Sequence, residues 1–409
     1  MKILIVSARY RPETFSIGPI AEHLVELGHD VTVLTGVPHY GLGRVYDGYQ
    51  DVYEQTIAGV KVIRVKEHVR KASTKSLIAN YISIYRKFPK KLKKIDGDFD
   101  IVLSHVISPI WSMRGVRKYC NKHHIPHMHY GLDLWPESFV ASGYLKRKSV
   151  LFKILKNYSA RLYRTCDLIC FASPCTESYF KDYLKVDVPF KHIYQPCLTK
   201  QPDFSLVEKH EFTKEGKRKI LFCGTIAKFT HLEFIISAFK NPQIRSNFIL
   251  DVVGSGSELE NAKELVKENE LTDSIIFHGR VPSEETVNYY LNADILFAPL
   301  YKNSITSDMI PQKVIEYFMY GKPILGMLSG DGKALIEKAS DLNVICDQTV
   351  ESMTQGLLRL SMYSSEQLKD CGKQNYDFYK NGSRFSLDSV CKELLESMSE
   401  LIEKRAKEK

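Results

Sequence analysis

The sequence predicts an α/β protein with parallel sheets in two or more domains, and three observations carry that expectation. The chain has 409 residues, enough for two or three domains with full cores. Its start runs strand, loop, helix, strand: ILIVS (3–7), ARYRPETFSIGP, a helical stripe through Ile20, Leu24, Val25 and Leu27, then VTVLT (31–35). That order belongs to parallel sheets with right-handed crossovers. The third observation is DMIPQKVIEYFMYGKPILG (308–326), where a loop, a helix, a glycine stop and a buried strand follow one another.

Composition sets outer limits. Hydrophobic residues make up 44% and charged residues 26%, ordinary for a globular chain. No run of 18 apolar residues occurs, so no spanning helix is expected. MKILIVS reads as a first strand without the small-residue end of a signal peptide, and the expectation is a cytoplasmic chain. Nine cysteines, odd in number and without CxxC pairs, fit reduced thiols. Charge is uneven: residues 1–198 hold 30 Lys and Arg against 17 Asp and Glu, whereas the rest holds 27 against 31. The first half is therefore expected to meet an anionic surface, and no nucleic-acid partner is expected.

Taken in order, residues 3–7 are apolar on both faces, as in a covered strand. A helix starts near Gly18 and stops at Gly28. No GxGxxG follows the first strand, so this is not a dinucleotide fingerprint. Residues 70–95 place Leu77, Ile78, Tyr81, Ile82, Tyr85 and Phe88 at helical spacing, with Arg86, Lys87, Lys90, Lys91, Lys93 and Lys94 clustered behind. Such a segment reads either as a contact with an anionic membrane surface or as a core-packed helix with a solvated charged face. DGDFD (96–100) directly precedes the strand IVLSH and reads as a turn rather than a metal site. His105 ends that strand, at the edge where open α/β sheets place ligands, although a structural histidine fits there too. IPHMHY (125–130) is a further strand, followed by GLDLWPES (131–138). Asp133 stands just past the strand end, and Trp135 suits either a sugar face or the core.

Residues 196–217 are polar with proline breaks and read as a linker. KILFCG (219–224), LDVVGSG (250–256), SIIFHGRVP (274–282) and ADILFAPL (293–300) supply strands of a second domain, with GSG read as a strand-to-helix turn. In 308–326, Pro311 suits the first turn of a helix, and Val314, Ile315, Phe318 and Met319 give its apolar side. Lys313 and Glu316 lie three residues apart on neighbouring faces. A loop entering a helix N-terminus with a lysine beside it is an anion site, and a carboxylate one turn on suits sugar hydroxyls. Phosphate plus ribose means a nucleotide; the alternative is a surface helix with an incidental Lys–Glu pair. Residues 350–379 and 386–404 are helical in pattern.

Asp308 and Glu316 are separated by seven residues, and this segment resembles the acidic-x7-acidic motif of retaining glycosyltransferases of family 4. PQK with IEYFMYGKPIL, and DLWPES, are similar to a branch that builds bacterial surface polysaccharides and includes fucosamine transferases. The resemblance implies the GT-B fold, α/β with two Rossmann-like domains whose parallel sheets face each other across a cleft. It implies domains at 1–198 and 199–380, with a helix in 381–409 crossing back to the first. Donor-side residues would be Gly18, Gly224, Lys228, Arg280, Lys313 and Glu316, with Glu316 on the ribose. His105, in a position similar to the histidine of the family's N-terminal loop, would work with Asp133 and Asp308 at the reacting centre. The sequence departs from the family at Asp308, where glutamate is usual, and at Thr225 and Thr230, where relatives carry an arginine and a lysine on the diphosphate.

What the resemblance implies is transfer of a hexosyl or N-acetylamino sugar from a nucleotide sugar, UDP-linked, to a lipid-linked saccharide. No metal or other cofactor is expected, and the enzyme would work peripherally on the inner membrane face. Two other readings stay open: an inactive partner subunit of a glycosyltransferase complex, and a nucleotide-sugar epimerase.

Overall fold

The computed structural model describes residues 1–71, 73–199, 201–203, 205, 216–302, 305–382 and 384–408. The linker expected at 196–217 falls largely outside them. The chain divides into two compact units, Met1–Leu198 with Arg384–Lys409, and Thr199–Ser383.

The first unit is built on eight strands: β1 (Lys2–Ser7), β2 (Asp30–Gly36), β3 (Glu54–Ile57), β4 (Val60–Val65), β5 (Ile101–Val106), β6 (His127–Gly131), β7 (Leu168–Phe171) and β8 (Phe190–His192). They lie in the order β3-β4-β2-β1-β5-β6-β7-β8. Six of the pairings are parallel, but β3 runs antiparallel to β4. The sheet is thus mixed at one edge. Ala58 and Gly59 both take positive φ, 45° and 79°, which closes a two-residue hairpin where a crossover has no room to form.

Strand alternation decides which helices cover which face. Ile3 and Ile5 of β1 pack with Ile17, Ile20 and Leu24 of the Ile17–Glu26 helix, and with Val390, Cys391, Leu394 and Met398 of the C-terminal Leu387–Lys407 helix. Leu4 and Val6 point the other way, onto Ile84, Phe88 and Leu92 of the Thr74–Leu92 helix. That helix starts at Ser73, whose hydroxyl accepts from the Ser76 N–H. The apolar stripe expected along it is split: Leu77, Tyr81 and Phe88 are buried, whereas Ile78 and Ile82 face outward. At DGDFD, Asp96 and Asp98 are exposed, and Asp100 accepts the Lys2 N–H at 2.7 Å, pinning the loop to β1.

The second unit holds six parallel strands: β9 (Arg218–Cys223), β10 (Phe248–Val253), β11 (Ile275–Gly279), β12 (Ile295–Pro299), β13 (Ile324–Met327) and β14 (Val344–Ile345). Their order is β11-β10-β9-β12-β13-β14. Ile220, Phe222, Leu250, Val252, Phe297 and Leu325 form its core with the helices covering them. Among the described residues, no helix is long and apolar enough to cross a membrane.

Candidate functional site

The helix Gln312–Met319 buries Val314, Ile315, Tyr317, Phe318 and Met319 and keeps Lys313 and Glu316 on its partly open side. The Tyr317 hydroxyl donates to the Phe297 carbonyl at 3.0 Å, fixing the helix to β12. Lys313 is thereby carried to the C-terminal end of β9. Its Nζ donates to the Cys223 carbonyl at 3.4 Å and stands 4.7 Å above the Phe222 ring. Burial pulls the Lys313 pKa down and pushes that of Glu316 up, the latter opposed by a Thr199 hydrogen bond and by Lys313. A desolvated ammonium with one neutral carbonyl partner is poised for an anion.

Gly224 makes that position possible. A Cβ on it would lie 2.7 Å from the Lys313 ammonium. Two glycines beyond β10 complete the arrangement. A Cβ on Gly254 would overlap the Gly224 carbonyl oxygen, and one on Gly256 would overlap that of Ile226. Gly224 N–H bonds the Val253 carbonyl at 2.9 Å, Ile226 N–H that of Ser255 at 3.0 Å, and Gly254 N–H that of Gly279 at 2.7 Å. The loops leaving β9, β10 and β11 are therefore zipped together at the strand ends. Sequence reasoning treated GSG as a plain turn; its two-residue glycine spacing directly after a strand was the available signal of close backbone approach.

The other donor-side candidates fall elsewhere. Lys228 is exposed and lines a cavity with Glu233, Glu258 and Asn261. Thr230 is buried, its hydroxyl accepting from the Ala227 N–H at 3.2 Å and donating to the Ala227 carbonyl at 2.7 Å. It closes a turn rather than presenting a group to a ligand. Arg280 is exposed, next to Gly279 at the end of β11. Asp308 ends the turn Ile305–Asp308 and accepts the Ser329 hydroxyl at 2.6 Å, with Lys302 at 3.8 Å. It packs against Gly330, the first residue of the next helix, where no Cβ would fit.

In the first unit, Asp133 Oδ2 accepts from the Ser108 N–H at 2.9 Å and its hydroxyl at 2.6 Å. Trp135 is buried, and its Nε1–H donates to the same Ser108 hydroxyl at 2.8 Å. Of the two readings for this tryptophan, the core one describes it. His105 is wholly buried beside Tyr130, with neither ring nitrogen bonded among the described residues, and burial drives its pKa down to about 3. It is a neutral imidazole. Gly18 lies in the first turn of its helix, where a Cβ would meet Arg11 Nε at 2.8 Å; the arginine is held there by both oxygens of Glu22.

A group absent from the sequence reading joins this unit. Arg9 Nη1 donates to Glu67 at 2.8 Å and Nη2 to Asn80 at 3.4 Å, while Glu13 accepts the N–H groups of His39 and Tyr40 at 2.8 and 2.7 Å. All but Tyr40 are buried. Burial pushes the Glu67 carboxyl up to about 7 against the pull of Arg9. The network fastens the loops that leave β1 and β2. Its members are spread from residue 9 to residue 80, so no local motif could announce it.

Comparison with known proteins adds the family. A model described as "Glycosyltransferase Family 4" matches residues 17–196, and one described as "Glycosyl transferases group 1" matches residues 205–378. The chain is a glycosyltransferase of the GT-B superfamily. An uncharacterized glycosyltransferase of Haemophilus influenzae is 24% identical to it over 284 residues, covering 69% of this chain and 72% of that protein. The alpha-monoglucosyldiacylglycerol synthase of Streptococcus pneumoniae is 24% identical over 196 residues, 46% of this chain and 42% of its own. Among solved structures, the glycosyltransferase is similar in fold to the sucrose-phosphate synthase of Thermosynechococcus elongatus, with a TM-score of 0.74 and 14% identity over 98% and 99% of the two chains. It is also similar to Anabaena HepE in complex with UDP, with a TM-score of 0.67 and 12% identity over 98% and 100%.

Proposed function

We propose that this glycosyltransferase takes a sugar from a nucleotide-sugar donor, UDP-linked, and passes it to a lipid-linked saccharide of a bacterial surface polysaccharide, with retention at the anomeric carbon. The observation that carries the reading is the Lys313 ammonium held against Gly224, with Glu316 one turn further along the same helix. Cleaving the bond between the anomeric carbon and the diphosphate leaves charge on the diphosphate. Lys313, at the N-terminal end of helix Gln312–Met319, is a fixed positive group at that place. The acceptor oxygen forms its bond to the anomeric carbon on the face the diphosphate leaves, and its proton passes to the departing phosphate oxygen. No nucleophilic side chain enters, and the positive charge that a metal supplies elsewhere comes from Lys313 and the helix end that carries it.

Glu316 takes the ribose hydroxyls. Asp133, whose Oδ1 lies outside its bonds to Ser108, takes the acceptor hydroxyl. His105 supports the strand end as a neutral ring, and Asp308 sets the loop before the helix. Lys228 and Arg280 supply positive charge as the donor enters. The UDP complex of HepE supports the donor class, and the pneumococcal relative, named for a glucosyl lipid, supports a lipid-borne acceptor.

One observation favours a second reading: Thr230, where the family resemblance implies a phosphate-gripping lysine, is locked into its own turn. An inactive partner subunit would bind no donor. A panel of UDP- and GDP-sugars in a thermal unfolding assay separates the two. Ligand at a hundred times its Kd should raise the midpoint by about 5 °C for at least one sugar nucleotide. No shift with any of them contradicts the enzyme reading.

A further inference from the structure

The first unit carries an apolar face that its own core does not use. In the Val150–Tyr163 helix, Phe152, Ser159, Ala160 and Tyr163 point inward. Val150, Leu151 and Ile154 do not: they are 73%, 55% and 59% exposed. Leu151, Ile154 and Tyr158 follow at spacings of three and four, so they share one side of the helix. In the Thr74–Leu92 helix, Ile78 and Ile82 are 53% and 42% exposed, and with Tyr85 they also share one side. The two sides converge, because the rings of Tyr85 and Tyr158 lie 6.3 Å apart, centroid to centroid. Both helices also rest on the short turn Ile110–Met113, where Trp111 meets Tyr85 at 5.6 Å.

The two stretches that hold these helices carry charge of one sign. Neither 68–95 nor 138–166 contains an aspartate or glutamate, while together they carry 16 lysines and arginines. Lys146, Arg147, Lys148 and Lys153, around the exposed start of the second helix, are themselves exposed. Only Arg147 of these meets a carboxylate among the described contacts, Glu137 at 3.0 Å. Exposed aliphatic side chains rimmed by lysines, with tyrosines alongside, match the apolar and headgroup layers of an anionic bilayer.

We infer that the Val150–Tyr163 helix, together with Ile78 and Ile82, forms a wedge that enters an anionic lipid leaflet, with Val150, Leu151 and Ile154 among the acyl chains. This rests on the proposed lipid-linked acceptor and deepens it. The sequence pointed only to the lysines at the end of 70–95. The wedge adds a second helix and an apolar mode of attachment, which salt does not screen.

Flotation with vesicles of phosphatidylethanolamine and phosphatidylglycerol tests it. The wild-type chain should float with these vesicles and keep a substantial part of its binding at high salt. The variant Val150→Ser/Leu151→Ser/Ile154→Ser should partition at least about tenfold less at any salt, with an unchanged unfolding midpoint because those side chains are exposed. Lys90→Glu, Lys91→Glu, Lys93→Glu and Lys94→Glu together should cost binding mainly at low salt. Equal flotation of the serine variant and the wild type overturns the wedge, and so does a wild type that never floats. A wild-type dimer that the serine variant disperses, without vesicle binding, assigns the face to a second copy and also overturns it. Donor-dependent thermal shifts that persist in the serine variant keep a failure of the wedge distinct from a failure of the donor reading.

Discussion

Lys313→Ala is expected to lower kcat/KM for the nucleotide-sugar donor by about 10²–10³-fold, the range found for removing one fixed charge-stabilising group at a reacting centre. The loss should fall mainly on kcat, since charge on the diphosphate grows as its bond to the sugar breaks. Folding should not suffer. The ammonium is desolvated and its pKa is pulled down, so its charge opposes folding at any pH below that lowered value. Lys313→Ala should therefore unfold at the same denaturant concentration as the wild type or a higher one. Glu316→Ala is the comparison: at least about a tenfold loss, expressed mostly in KM because ribose contacts are made in ground and transition states alike. Near-normal turnover by both variants removes the site from helix Gln312–Met319.

Gly254→Ala is expected to destabilise the second unit by about 3 kcal/mol or more. Two effects add. The residue sits at φ +143°, a region in which side-chain-bearing residues are strained, and the new Cβ would overlap the backbone oxygen of Gly224. Backbone cannot swing aside as a lysine tip can. Gly279→Ala supplies the scale, since its φ of +71° carries strain but nothing lies within 4 Å of the added carbon; it should cost about 1 kcal/mol. Urea unfolding of both variants decides the matter. Equal losses would mean the loops after β9 and β10 are not in contact.

Much of this molecule can be read from local pattern. Apolar runs such as ILIVS and ADILFAPL are strands because both faces are covered, and their β1 alternation sends Ile3 and Leu4 to opposite helices. The helix at 312–319 announces itself by a proline at its start, a three-four apolar spacing and a glycine after it. What local pattern misses are contacts made by distant residues. Nothing near Asp308 says that Ser329 donates to it from 21 residues away. The Arg9–Glu67 pair spans 58 positions. Periodicity also overstated the core side of residues 74–92, because a stripe wide enough for six residues packs only part of its width when a single layer lies beneath it.

The central claim is that the donor diphosphate is held at the start of helix Gln312–Met319 by Lys313. A crystal structure with UDP bound tests it most directly. The account predicts phosphate oxygens within hydrogen-bond distance of Lys313 Nζ, with the ribose hydroxyls on Glu316. Nucleotide seated elsewhere, for instance in the cavity beside Lys228, Glu233 and Glu258, would contradict it.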